Sequence, residues 1–236
     1  MNTATTVNVH QIPVLLRGDT DAINEWIQRW SAQRMLLYVA VIVIGAGLFG
    51  AAVGSWRGDG QTMYAALKLP MIVLLTALGN ALLNAMLAPL LGLSLGLRQS
   101  LLAILMSFTI AAAILGAFSP LMFFLVWNTS PLAERAHSST AHSAILLSQV
   151  AVIAFAGVAA NLRLAQLLRR LSGSAAVARK ILLAWLGGNL LLGSQLAWIL
   201  RPFIGSPDLS VQFLRQDALR GSFFEAVWNA LHHLLF

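Results

Sequence analysis

Thr76, Asn80 and Asn84 recur at four-residue spacing inside an uncharged, strongly apolar stretch. On a helix that spacing puts a hydroxyl and two carboxamides on one face. Such groups can join neighbouring helices by hydrogen bonds, or line a path for a small solute or ion, but they carry no proton or electron chemistry of their own. Asn189 and Gln195 lie in a later apolar stretch. Six helical residues turn them about 240° apart, so they address different neighbours. A second group is set by size. Gly50 and Gly54 form a GxxxG pair, and Gly188 and Gly193 recur with Ala197, so these faces are candidates for close helix contact within the chain or between chains. A third group is cationic: Arg163, Arg169, Arg170, Arg179 and Lys180 form the densest basic stretch, suited to lipid phosphate and to a cytoplasmic loop.

Other reactive types are scattered. His137 and His142 are five residues apart, and His232 and His233 are adjacent, with no carboxylate or thiolate at ligand spacing, so no metal site is expected. Glu134 and Arg135 read as a solvated loop. Cysteine is absent, which excludes disulfides and thiol catalysis. No nucleophile elbow, HExxH zinc motif, phosphate-cradling glycine loop or pair of intramembrane aspartates occurs. Neither a catalytic centre nor a cofactor site is expected, and an enzyme is the reading with least support.

The elements that must position these residues are membrane spans. Hydrophobic residues make up 58% of the 236-residue chain and charged ones 10%, against roughly 25% charged in soluble domains. Mean hydropathy is +0.79. Apolar runs predict five transmembrane helices at about 35–56, 69–93, 100–127, 143–162 and 181–200, packed as one all-α bundle. Pro70 fits a first helical turn and Pro89 a last one, while Pro120 is expected to tilt or break the long third span. Residues 57–68, 94–99, 128–142 and 163–180 then read as connections.

Residues 1–34 form a polar tail. Within it Ile23, Trp26, Ile27 and Trp30 recur at helical spacing, which predicts an amphipathic helix lying in the interface. Residues 201–236 are too polar to span. They contain a capping box, Ser222 with Glu225, followed by an apolar stripe from Phe223 to Leu235, hence a second interfacial helix. With five spans, nine Lys or Arg fall on the side of the amino terminus and six on the other, which predicts a cytoplasmic amino terminus.

The segments Tyr64-Ala-Ala-Leu-Lys-Leu-Pro70, Leu95-Gly-Leu-Arg-Gln99 and Ser194-Gln-Leu-Ala-Trp-Ile-Leu-Arg-Pro-Phe-Ile-Gly-Ser-Pro207 resemble an uncharacterised group of bacterial multi-pass membrane proteins. The architecture alone is similar to that of the Yip family of five-span trafficking proteins. The first resemblance implies a bacterial inner membrane, and neither assigns a role to any residue. The expected function is that of a non-enzymatic subunit or scaffold, with the lipid bilayer and either itself or another membrane protein as partners and no nucleic acid. A channel or carrier along Thr76, Asn80 and Asn84, and membrane sensing or remodelling by the terminal helices, are the alternatives. The Arg201–Pro207 exit is read as a topological stop or a docking surface.

Overall fold

A computed structural model describes residues 13–14, 17, 31–93, 96–129, 138–205 and 210–225. Among these the chain is helical without strands, and five helices are long and apolar enough to cross a membrane. It is an integral membrane protein. The interfacial helix expected around Ile23 to Trp30 lies outside the described residues, as does most of the one expected after Ser222. Of the latter's capping box, the Glu225 amide donates to Ser222 Oγ at 3.1 Å.

Helix α1, Ala32–Gly54, starts where Ser31 Oγ accepts from the Arg34 amide. It ends in a three-ten turn, Ser55–Arg57, and Gly58 then turns the chain with φ 101°, a left-handed conformation open to glycine. Helix α2, Asp59–Leu90, begins ten residues before the expected span. Residues 59–68 are therefore helix, not connection, and Pro70 is a buried interior residue. Pro70 faces α1, where a Cβ on Gly47 would stand 3.7 Å from its ring. Pro89 does lie at the end. There Gly92, with φ 92°, donates to Pro89 O and Leu93 to Ala88 O, closing the helix as a Schellman motif.

Helix α3, Leu97–Trp127, runs unbroken past Pro120. Helix α4, Ser138–Ser172, continues ten residues beyond its expected end, and α5, Ala175–Ile199, starts six residues early. The 163–180 connection thus shrinks to a turn at Gly173 and Ser174. The reason is common to all these boundaries: hydropathy marks the apolar part of a helix, whereas backbone hydrogen bonding carries on through polar residues until a cap or glycine stops it.

The first three helices pack on one another, α4 lies against α3, α5 lies against α2, and α4 and α5 meet as a hairpin. Small residues bring the first three together. A Cβ on Gly116 would stand 3.0 Å from Gly45 Cα, and one on Gly54 would stand 2.6 Å from Gln61 O. One core cluster gathers Ile42, Leu102, Met106, Leu164, Leu168 and Trp185. A second, nearer the ends of α1 and α3, gathers Phe49, Trp56, Met122 and Ile145.

Candidate functional site

The amide stripe is a joint between α2 and α5. Thr76, Asn80 and Asn84 are 3%, 0% and 1% exposed. Asn80 Nδ2 donates to Trp185 O at 3.2 Å and to Asn189 Oδ1, while Asn84 Nδ2 donates to Asn80 Oδ1 at 2.8 Å. Ser100 of α3 adds a bond from its hydroxyl to Ala81 O. The glycines of α5 permit this. A Cβ on Gly188 would stand 2.5 Å from Asn80 Oδ1, and one on Gly193 would stand 3.6 Å from Thr76 Oγ1. Two groups that the sequence analysis treated separately, the amides and the α5 glycines, therefore form one contact. Gln195 is half-buried and takes no part in it. Thr76 Oγ1, Asn84 Oδ1 and Trp185 Nε1 are buried without a hydrogen-bond partner.

Gly50 and Gly54 are likewise used inside the chain. A Cβ on Gly50 would run into the Ala65 carbonyl, so only glycine lets α1 and α2 approach this closely.

No family model, curated protein or solved structure matches the chain. The functional reading therefore rests on what these side chains hold and what they leave open.

At the end of the bundle where α1 stops and α5 leaves, the structure assembles a polar latch that the sequence analysis missed. Gln61 and Lys68, placed there in a connection, are both 0% exposed. Gln61 Nε2 donates to Pro202 O at 2.9 Å and to Phe203 O at 2.7 Å, and Lys68 Nζ donates to Pro202 O at 3.1 Å. The ammonium also lies 5.1 Å from the centre of the Phe213 ring and 5.9 Å from that of Tyr64, and those two rings meet edge to face. Beside them Arg201 pairs with Asp217 at 3.3 Å and stacks on Trp198 at 3.7 Å. Trp198 Nε1 donates to Arg220 O. The start of the exit, Arg201 to Phe203, thus docks on its own bundle, while Ser206 and Pro207 lie outside the described residues. A cavity of about 310 Å³ opens there between Arg57, Gln61, Gly205, Gln212, Arg215 and Asp217. The signal for the latch was the spacing of Gln61, Tyr64 and Lys68, which share a helical face.

The basic group sits at the opposite end, on the last turns of α4 and the first of α5. Arg169 and Arg179 line a cavity of about 570 Å³ between the two helices. Arg163 bonds Gln166, and Arg170 and Lys180 are exposed. Of the histidines, His142 lies within ring contact of Trp56, centroids 5.8 Å apart. His137, His232, His233, Glu134 and Arg135 lie outside the described residues.

Proposed function

We propose that the protein is a non-enzymatic membrane subunit that pairs with a second copy of itself along the outer face of α4 and α5. The observation that carries this reading is unequal burial. Half or more of the most apolar stretch is buried in α1 and α3, 50% and 56%, but 22% in α4 and 17% in α5. The seam expected at Gly50, Gly54, Gly188 and Gly193 is taken up inside the chain, which moves the docking face outward. On that face Gly187 meets nothing within 4 Å, and Leu183, Leu190 and Leu191 stand exposed around it. A notch and a ridge on one helix face are self-complementary, which is what a two-fold interface requires. The setting we propose is a bacterial inner membrane with the amino terminus cytoplasmic.

Particle mass of the full chain in nanodiscs and mild detergent tests this. A dimer is expected, and Gly187→Leu should convert it to a folded, monodisperse monomer whose melting temperature no longer depends on protein concentration. A wild-type monomer at every concentration would overturn the reading, and a different protein in stoichiometric amount would overturn the choice of partner. Flux through a path along Thr76, Asn80 and Asn84 would require access to side chains that are at most 3% exposed.

A further inference from the structure

The geometry points to a binding site for one anionic phospholipid at the basic end of the α4–α5 hairpin, with its phosphate held between Arg169 and Arg179. The cavity there is lined by Leu162, Leu182 and four alanines, and Arg169 and Arg179 are the polar residues of its lining. The hairpin itself carries no acid. From Arg135 to Pro207 the sequence contains no Asp or Glu. The acids among the described residues, Asp59, Asp217 and Glu225, all belong to the opposite end of the bundle, where Asp217 already pairs with Arg201. No carboxylate among the described residues competes for Arg169 or Arg179. The first turn of α5 adds to the field: it carries no acid, and its amino end points partial positive charge at the same space.

The shape selects a lipid over a free phosphate. From Arg169 back to Leu162 on α4, and from Ala175 to Leu182 on α5, the cavity follows each helix for about 10 Å. A phosphate ion would fill only the charged mouth. A phospholipid places its phosphate there and runs the start of an acyl chain along the alanines and leucines, burying apolar surface on both sides. Basic pockets between spans are a recurring way of holding anionic head groups, and guanidinium matches phosphate with two parallel hydrogen bonds.

The test is binding to the delipidated full chain in a neutral detergent, read by native mass spectrometry and by melting temperature. Phosphatidylglycerol, phosphatidylcholine and inorganic phosphate are added separately. Phosphatidylglycerol is expected to bind one per chain and to raise the melting temperature, and the other two to do neither. Arg169→Gln with Arg179→Gln should weaken phosphatidylglycerol binding about thirtyfold. Leu182→Trp, which fills the apolar wall and keeps both arginines, should also weaken it, while Arg215→Gln at the far end should not. Equal binding of phosphatidylcholine, or binding that survives both the arginine and the tryptophan variants, overturns the site. Binding of inorganic phosphate with the same affinity and no response to Leu182→Trp overturns the lipid as occupant.

Discussion

The first three helices and the last two are built from similar apolar residues but use them differently. In α1 to α3 glycine and alanine bring backbones into contact, and 39% to 56% of each most apolar stretch is hidden; in α4 and α5 that share falls to 22% or less. The lesson is that a glycine in a span has no fixed meaning. Gly50 is a place where two helices of one chain touch, whereas Gly187 is an open notch on the surface.

That contrast is most sharply broken at Gly50. Gly50→Leu forces a side chain into the Ala65 carbonyl, and about 3 kcal/mol of stability is expected to be lost, seen as aggregation on size exclusion after extraction. In the monomer Gly187→Leu should shift unfolding by less than about 0.5 kcal/mol, because nothing in its own chain lies in its way. If both variants melt alike, the division into a packed core and an open flank fails. The latch comes next. Gln61→Ala removes the donor to Phe203 O and should cost about 2 kcal/mol, with faster hydrogen exchange confined to residues 201–205. A modest effect is expected at the amide joint. A double-mutant cycle of Asn80→Leu and Asn189→Leu should return a coupling of about 0.6 kcal/mol, because unfolded spans also find partners within the membrane. A coupling near zero would mean that packing of Gly188 against Asn80, not the hydrogen bond, holds α5 to α2.

The count of five spans was legible because uninterrupted apolar length is a direct requirement of the bilayer. Their ends were not, since Asp59 to Lys68 and Arg163 to Ser172 are polar enough to resemble connections while remaining helical. Pro70 misled for a related reason, as did Pro120 where a break was the expectation: within a packed bundle neighbouring helices tolerate a proline that an isolated helix would not. The shared face of Thr76, Asn80 and Asn84 was readable from spacing, and its partner was not, because Asn189 comes from a helix more than a hundred residues away. Lys68 was counted as a topology signal. Its burial depends on carbonyls at Pro202 that no local pattern announces.

That separation also has a consequence for how the chain is made. Lys68 and its acceptor are 134 residues apart. At roughly 5–20 residues per second, the ribosome leaves this ammonium without its carbonyl for roughly 7 to 27 s after Lys68 has been added. Throughout that interval the amino-terminal end of α2 must stay within reach of water or of the insertion machinery. The nascent second span can settle to its final depth only when the last one arrives.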